Sequence, residues 1–323
     1  MHRGSDVRLR RRPALLAARA GCALLLVSLA CAGLARAGSP SPREVEVSAP
    51  GLDLPEPMGE RGTGVLGPDD TLLDVAVRNR VGFEAVVHLN PNVDVWMPRP
   101  GTRVDLPTRM IPPRVPREGL VLNLPEMRLY DFTQGPDPRV YPIAIGAADT
   151  PSPVGDQRVE WKAIEPVWRV PASIRAVDPD LPNEVPPGPD NPLGRHWMGI
   201  GNGFGIHGTN NRWSIGRLTT HCCIRLDNDD IAELYPRIPV GTPVRILYQT
   251  VKLGRSGDDL FVEVHPDIYS RDAESLSDVL AELLALGVLD SVARDALDSA
   301  LREARGIPLW IGTLPQSPPA KSK

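Results

Sequence analysis

Residues 205–225 have the sequence GIHGTNNRWSIGRLTTHCCIR, in which two short motifs flank a central segment. His207 lies in the first motif, and Cys223 lies sixteen residues later in the second. A thiol becomes a nucleophile only as its thiolate, so it needs a base or an imidazolium nearby. The segment between the motifs is rich in turn-forming residues. We therefore expect it to fold His207 back toward Cys223, which makes a cysteine-dependent active site the first hypothesis for this chain.

The N-terminal 37 residues have the three parts of a secretory signal peptide. Several arginines form a basic start, an uncharged apolar run follows from Ala20 to Ala35, and Ala35-Arg36-Ala37 matches a cleavage site. The sixteen-residue run is shorter than the roughly 20 residues that a bilayer-spanning helix needs. An uncleaved membrane anchor is the alternative. We expect an exported protein.

Charge argues against one large class of partner. The predicted leader holds seven of the 36 basic residues and one of the 40 acidic residues, so the rest of the chain has a net charge of −10. Binding to phosphate backbones needs clustered cations. We therefore expect no nucleic acid partner.

Cysteine usage supports a reactive thiol. The leader takes two of the four cysteines, and only the adjacent pair Cys222 and Cys223 remains. A disulfide between neighbours is strained and closes almost no loop, so it adds little stability. The alternatives are a buried structural thiol, a zinc site with two histidines, and a redox pair. Neighbours in an extended segment point to opposite faces, which counts against a shared metal, and redox motifs usually separate their cysteines.

The chain divides by composition into six segments. Residues 38–60 are rich in Pro, Gly, Ser and Glu and are predicted to be a linker. In residues 61–107 we expect a strand, helices near Thr71–Ala76 and Phe83–Leu89, and a returning strand. This order, with Asp70-Thr71-Leu72 and the turn Asn90-Pro91-Asn92, resembles a LysM module, which binds the glycan of peptidoglycan or chitin. A structural cap on the next domain is the alternative.

The main domain, residues 117–250, is predicted to be mainly β, a sandwich or barrel-like fold with few helices. Its apolar and β-branched runs predict strands, and one helix is expected from Asp229 to Tyr235, capped by Asn228 or Asp227. Prolines between Asp178 and Gly194 predict a stiff, extended loop. For residues 251–314 the apolar spacing predicts a C-terminal extension with a helical hairpin, Ala273–Leu286 and Asp290–Arg305, and residues 315–323 are predicted to be a disordered tail.

The two motifs resemble those of the YkuD-type L,D-transpeptidases, His-Gly-Thr and Ser/Thr-His-Gly-Cys-Ile/Val-Arg. The likeness extends over about residues 117–248 and includes Pro166-Val167-Trp168, residues 185–194 and Gly241-Thr242-Pro243-Val244. LysM-like units are known companions of this domain. The resemblance implies a YkuD-like β-sandwich or barrel. It also implies a cysteine transpeptidase of the periplasm and cell wall that needs no cofactor or metal and that serves cell-wall organisation and cell shape.

The resemblance also implies a role for each site residue. Cys223 would attack the carbonyl of the diamino acid in a peptidoglycan tetrapeptide stem, expelling the terminal D-alanine. His207 would be the base, with its ring oriented by the Gly208 carbonyl. Backbone N–H groups of Cys222 and Cys223, with His221 nearby, would stabilise the oxyanion. The remaining positions would bind substrate, namely Arg225, Thr209, Trp213 and Ser214.

Two matters stay open at this level. The acyl acceptor is the lysine of an outer-membrane lipoprotein, which the architecture favours, or the diamino acid of another stem; water as acceptor would make the protein an L,D-carboxypeptidase. In addition, Cys222 replaces the family's usual glycine. If that position has φ > 0, a β-carbon costs roughly 1–2 kcal/mol. A catalytically impaired peptidoglycan-binding protein is therefore the rival hypothesis.

Overall fold

The computed structural model describes residues 53–271 and 274–315. The predicted signal peptide, most of the predicted linker and nearly all of the predicted tail lie outside these residues. Among the helices within the described ranges, none combines the length and the apolar character needed to cross a membrane.

The N-terminal module, residues 61–107, has a βααβ order. Its elements are β1 (Gly62–Val65), α1 (Leu72–Arg78), α2 (Phe83–Leu89) and β2 (Arg103–Leu106). Helix α1 begins at Thr71, whose side chain accepts from the Asp74 N–H while the Asp74 carboxylate accepts from the Thr71 backbone. This capping box is the reason that the helix begins there. Strands β1 and β2 pair antiparallel, and Leu72, Val75 and Val86 fill a small core of their own.

The main domain that follows is mainly β, as predicted. Its elements are β3 (Leu120–Asn123), β4 (Arg128–Asp131), β5 (Arg139–Pro142), β6 (Ile145–Gly146), β7 (Gly155–Arg158), β8 (Trp161–Ile164), β9 (Trp168–Arg169), α3 (Ala172–Val177), β10 (Glu184–Val185), β11 (His196–Gly201), β12 (Phe204–His207), β13 (Leu218–Thr220), β14 (Ile224–Arg225), α4 (Asn228–Leu234) and β15 (Pro243–Leu247). The apolar run in residues 158–163 predicts one strand, but it is divided between β7 and β8, which belong to different sheets.

Two sheets enclose the main hydrophobic core. A five-stranded sheet has the order β5-β4-β3-β15-β7, and a four-stranded sheet has the order β14-β12-β11-β8. Leu120 and Leu122 of the first sheet and Met198, Ile206 and Ile224 of the second are almost fully buried in this core. Strand β3 is buried on both faces because Val121 packs into a second cluster with Met110 and Tyr130.

The C-terminal extension differs from the prediction of a helical hairpin. Its elements are β16 (Val251–Ser256), β17 (Asp259–Val264), α5 (Leu276–Ala285), α6 (Arg294–Glu303) and β18 (Leu309–Thr313). The three strands form a sheet with the order β16-β17-β18. The helices bury their apolar faces in the same core as the sheet, so the extension has both helices and strands.

The described end of the predicted linker, residues 53–60, lies against this extension and is not a free connection. The Pro55 carbonyl accepts from the Arg255 N–H at 3.0 Å, and Met58 pairs with Met110 in an antiparallel bridge. The polar and Pro-rich composition of this segment predicted a linker. The contacts were not predicted because they are made by backbone groups, which composition does not reveal.

A cluster of buried charges joins three parts of the chain. Lys252 of β16 lies 2.7 Å from a Glu126 oxygen and 3.0 Å from a Glu263 oxygen, and Arg128 of β4 lies 3.2 Å from each of the same carboxylates. Arg128 also donates to the Pro107 carbonyl at the end of the N-terminal module at 2.6 Å.

His265 extends the same cluster. Its Nε2 lies 2.8 Å from Glu263, and the ligand atoms of Glu126, Glu263 and His265 are all within 4.8 Å of one another. That spacing would suit a metal ion, but the Lys252 ammonium already supplies a cation to both carboxylates. The cluster is therefore an ion-pair network that ties the end of the N-terminal module, the sheet that contains β4 and the C-terminal sheet together.

Removal of one partner should expose how strongly this network is coupled. We expect Lys252→Met to lower the free energy of unfolding by about 3–5 kcal/mol, because two carboxylates remain buried with one cation fewer. Urea unfolding measures this change. Arg302→Ala, which breaks an exposed pair with Asp298, is the control and should change stability by no more than about 0.5 kcal/mol. Equal effects of the two substitutions would contradict the proposed coupling.

Candidate active site

A parallel strand pair brings the two sequence motifs together. Strand β12 ends in His207, and β14 begins at Ile224, directly after Cys223; the register pairs Ile206 with Ile224 and His207 with Arg225. Because side chains alternate along a strand, Ile206 and Ile224 point into the core, where both are buried. His207, Cys223 and Arg225 therefore lie on the opposite face, and all three line one cleft.

The His207 ring is fixed in one tautomer. Its Nδ1 lies 2.6 Å from the Gly208 carbonyl oxygen, and a carbonyl can only accept, so Nδ1 carries the proton. Nε2 is then the free lone pair. The ring stacks on Trp197 with centroids 5.6 Å apart and is 97% buried, since only 3% of the residue is exposed. The sequence prediction of a Gly208-oriented base matches this geometry.

Burial controls the protonation of both groups. Burial, with the Arg225 guanidinium as the next cause, lowers the pKa of the His207 imidazolium to about 3. Burial also raises the pKa of the Cys223 thiol, against the opposing effects of a hydrogen bond with the Gly205 backbone and of the Arg225 charge. At neutral pH the site therefore holds a thiol and a neutral imidazole.

Cys222 occupies the left-handed conformation that its position in the motif had suggested. Its φ is +68°, a value that a residue with a β-carbon adopts at a cost. Two hydrogen bonds stabilise the backbone in this conformation. The Cys222 N–H donates to the Thr150 carbonyl at 3.2 Å, and the Cys222 carbonyl accepts from Ser152 Oγ at 2.9 Å.

This geometry corrects one expectation. We predicted that the Cys222 N–H would help to bind an oxyanion, but it already donates to Thr150. Thr220 Oγ1 donates to the Cys223 carbonyl at 2.5 Å, so the loop is held from both sides of the nucleophile. Among the residues that the structure describes, the Cys223 N–H has no backbone acceptor, so it is the donor of this pair that is open to a ligand. His221 is exposed and lies in the cleft wall.

The cleft itself has a volume of about 600 Å³ and a largely aromatic wall. Trp161, Trp168 and Trp197 line it with Phe204, and half of the Trp161 surface is exposed. None of these four residues was predicted as a site residue. Their positions on β8, β9, β11 and β12 become adjacent only through the sheet order, and an isolated tryptophan in a strand gives no signal of this.

Three predicted substrate-binding residues lie outside the cleft lining. Thr209 Oγ1 accepts from the Asn211 N–H at 3.0 Å, and Ser214 Oγ donates to the Asn211 carbonyl at 2.6 Å. Both side chains are buried, and they stabilise the turn between the motifs. Trp213 is exposed on the same turn. The Thr209 and Ser214 side chains thus bond to local backbone groups, and substrate binding by these three residues stays a prediction.

Arg225 lines the cleft and is mostly buried. Its Nε has no hydrogen-bond partner among the described residues. Burial lowers the pKa of its guanidinium, and the nearby Cys223 opposes this effect. A buried cation with an unsatisfied donor is suited to bind an anionic or carbonyl group that enters the cleft.

Comparison with known proteins identifies the family. The sequence profile of the YkuD L,D-transpeptidase catalytic domain matches residues 117–246. The probable L,D-transpeptidase YbiS of Escherichia coli K12 is 33% identical over 249 residues, 73% of this chain and 81% of that protein. The chain belongs to the L,D-transpeptidase family. The probable L,D-transpeptidase ErfK/SrfK of Salmonella typhimurium LT2 is 37% identical over the same length and the same shares of both chains.

A solved relative of this transpeptidase is more distant. The catalytic domain of the Enterococcus faecium L,D-transpeptidase, determined by NMR, is 22% identical, with a TM-score of 0.33. The match covers 42% of this chain and all of that one. The family assignment rests on the sequence relatives.

The strain at Cys222 of this transpeptidase gives a stability prediction. We expect Cys222→Gly to raise the free energy of unfolding by up to about 1 kcal/mol, since relief of roughly 1–2 kcal/mol at φ > 0 exceeds the cost of a more flexible unfolded chain. Urea unfolding under reducing conditions measures it. Cys222→Val is the matched comparison and should be less stable than wild type, because β-branched residues rarely adopt this conformation. A lower stability of the glycine variant would contradict the strain.

Proposed function

We propose that this transpeptidase is exported to the periplasm and acts on the tetrapeptide stems of peptidoglycan. Cys223 attacks the carbonyl of the diamino acid, the bond to the terminal D-alanine breaks, and the acyl group passes from the thioester to an amine. The observation that supports this most directly is the position of Cys223 and His207 on one face of the β12–β14 pair, within a single cleft.

The protonation states favour a general-base mechanism over a pre-formed ion pair. His207 Nε2 takes the thiol proton as the Cys223–carbonyl bond forms, and the same proton then goes to the leaving D-alanine nitrogen. The low pKa of His207 makes the imidazolium short-lived and a ready acid. In the second half of the reaction, the amine attacks the thioester carbonyl while Nε2 takes its proton. The C–S bond then breaks, and Nε2 returns the proton to the Cys223 sulfur.

Charge on the substrate oxygen needs stabilisation at each tetrahedral stage. The Cys223 N–H is the backbone donor in this proposal, and His221 lies in the wall beside it. Arg225 faces the same side of the strand pair and supplies positive charge next to the sulfur. The Cys222 N–H takes no part because it is bound to Thr150.

For the acceptor we favour an amine, and among amines the C-terminal lysine of an outer-membrane lipoprotein over the diamino acid of a second stem. The aromatic wall of the cleft supports this choice, because Trp161 and Trp168 offer flat apolar surface to a long aliphatic side chain such as that of lysine. Transfer to water would give an L,D-carboxypeptidase.

The N-terminal module is proposed to bind peptidoglycan glycan as a LysM-like unit. Its βααβ order supports the resemblance, and Asn90 explains the quoted turn: its side chain exchanges hydrogen bonds with the Asp105 backbone at 2.8 Å and ties α2 to β2. Next to this turn, Trp96 and Met97 are exposed, Trp96 by 57%. Exposed tryptophan rings are suited to stack on sugars.

A peptidoglycan-binding protein with impaired catalysis is the second candidate, and the strain at Cys222 is the observation that favours it. A chain that had lost catalysis would be free to lose the glycine. The buried, correctly oriented His207 favours the enzyme, since an unused imidazole at this position would only cost solvation free energy.

A product assay tests the proposed reaction. We expect incubation with purified disaccharide-tetrapeptide and a lysine-ended lipoprotein peptide to give a peptide adduct and free D-alanine, identified by mass spectrometry. Without the peptide, stem dimers would indicate cross-linking, and tripeptide alone would indicate hydrolysis. Cys223→Ala should give no product and no acyl adduct with a carbapenem, a class that mimics the family's acyl donor. A carbapenem adduct on Cys222 in that variant would overturn the assignment of the nucleophile.

The resting protonation states have their own test. In a Cys222→Gly variant produced without residues 1–37, which leaves one thiol, we expect the rate of Cys223 alkylation by iodoacetamide still to rise above about pH 8.5, the ordinary thiol pKa. Burial keeps the thiol protonated below that pH. His207→Ala should preserve this alkaline rise while lowering the rate of transfer by about 10²–10⁴. A plateau from neutral pH that disappears in His207→Ala would establish a thiolate–imidazolium pair instead.

Glycan binding by the module is tested at its exposed tryptophan. We expect Trp96→Ala to weaken binding to purified sacculi by roughly tenfold, the effect of about 1.4 kcal/mol of lost stacking. Co-sedimentation measures the affinity. Trp310→Ala removes a similarly exposed ring from β18 of the C-terminal sheet and should leave the affinity unchanged. Equal loss in both variants, or no loss in either, would favour the structural-cap interpretation of the module.

A further inference from the structure

The peptide unit between Gly208 and Thr209 is held at both ends. Its carbonyl accepts from His207 Nδ1 at 2.6 Å, and its N–H donates to the Asn228 side-chain oxygen at 3.2 Å. A hydrogen bond at one end of a peptide group polarises the other end, so bonds in such a chain strengthen each other. The chain of donors runs from the imidazole through one peptide group to an amide side chain.

The surroundings of Asn228 are shaped to admit its oxygen. A β-carbon added to Gly208 or to Gly194 would lie 2.3 Å from Asn228 Oδ1, closer than any non-bonded contact allows. Because neither glycine has a β-carbon, the Asn228 side-chain oxygen can lie close to both residues and reach the Thr209 N–H. Two glycines around one polar atom indicate a site built for that atom.

The backbone that carries Asn228 is itself well anchored. Asn228 is the first residue of α4, which begins after the Asp227 cap. Ile231 and Leu234 of the same helix are fully buried in the main core. In addition, the Leu226 N–H donates to the His207 carbonyl at 2.8 Å, so the residues just before the helix also hold the histidine backbone.

We propose that Asn228 is a positioning residue for the reaction, the third member of a relay Cys223–His207–peptide–Asn228. In cysteine and serine enzymes a third group commonly fixes the imidazole tautomer and orientation. Here the Gly208 carbonyl contacts the ring, and Asn228 orients and polarises that carbonyl from the far side of its peptide group. The inference rests on the proposed role of His207 as the base.

The test compares two substitutions of Asn228 with a neighbouring control. Asn228→Ala removes the acceptor, and we expect kcat to fall by about 10–100-fold while KM stays within about twofold, because a misplaced base slows chemistry more than binding. Asn228→Asp keeps an acceptor and adds a negative charge, so kcat should stay within about fivefold of wild type. Asp229→Asn changes the charge one residue away on an exposed position of the same helix and should change neither parameter.

A second measurement separates positioning from a purely structural role and does not depend on turnover. Nitrogen-15 NMR of labelled histidine reports the tautomer and titration of His207, assigned by its loss in His207→Gln. We expect wild type to hold the Nδ1–H tautomer and Asn228→Ala to mix the two tautomers. In Asn228→Asp the ring should titrate at a pH higher by about one unit, since a nearby negative charge stabilises the imidazolium.

The outcomes are distinct. An Asn228→Ala variant with wild-type kcat and an unmixed tautomer would overturn the proposal, as would an aspartate variant whose ring titrates as in wild type. If Asn228→Ala does not fold, the titration of the His207 ring in Asn228→Asp decides on its own. Should wild type show no transferase activity, the proposed function fails, but the tautomer and titration of His207 still test the relay.

Discussion

Parallel pairing of β12 with β14 is the constraint on which the site depends. Parallel neighbours need a crossover between them, and here the crossover is the turn-rich segment that separates the two motifs. The register places Ile206 and Ile224 in the core, so a shift by one residue would bury the cleft-facing side chains and expose the apolar ones. The hydrophobic core thus fixes the relative position of Cys223 and His207, although it contains neither.

Burial of His207 has a consequence for which electrophiles the Cys223 thiol can react with. A neutral thiol is a poor nucleophile toward most electrophiles, and its proton leaves only when a substrate brings a carbonyl next to the sulfur and the imidazole. Such an arrangement suits an enzyme that works in an oxidising compartment, because a resting thiolate would be open to oxidation. The aromatic wall around Trp161 and Trp168 lowers the local polarity further and strengthens the influence of Arg225 on any charge that develops.

Much of this site was predictable from the sequence, and the limits have physical reasons. The two motifs predicted that His207 lies near Cys223, and the structure places both in one cleft with Arg225; the left-handed conformation of Cys222 follows from the glycine that it replaces. The hydrogen bonds of Thr209 and Ser214 within the turn were not predictable, because a short polar side chain bonds to its own turn as readily as to a ligand.

Other features depended on contacts between distant segments. The aromatic wall joins strands that are separated in sequence, and the C-terminal sheet pairs β17 with β18 across two helices. The buried charges are the clearest case, since Lys252 and Glu126 are 126 residues apart. Single charged residues in a sequence predict solvent exposure, and nothing local indicates that these two meet.

That charge network has a consequence for how the molecule opens. Separate hydrophobic cores would ordinarily let each part of a chain unfold on its own, and loosely attached parts are where proteases cut first. If the C-terminal sheet or the end of the N-terminal module detached, a carboxylate or a guanidinium of the network would stay buried without its partner. Partly opened states are therefore costly, and the fraction of molecules open to cleavage approaches that of complete unfolding. This coupling is therefore a form of protection against proteolysis.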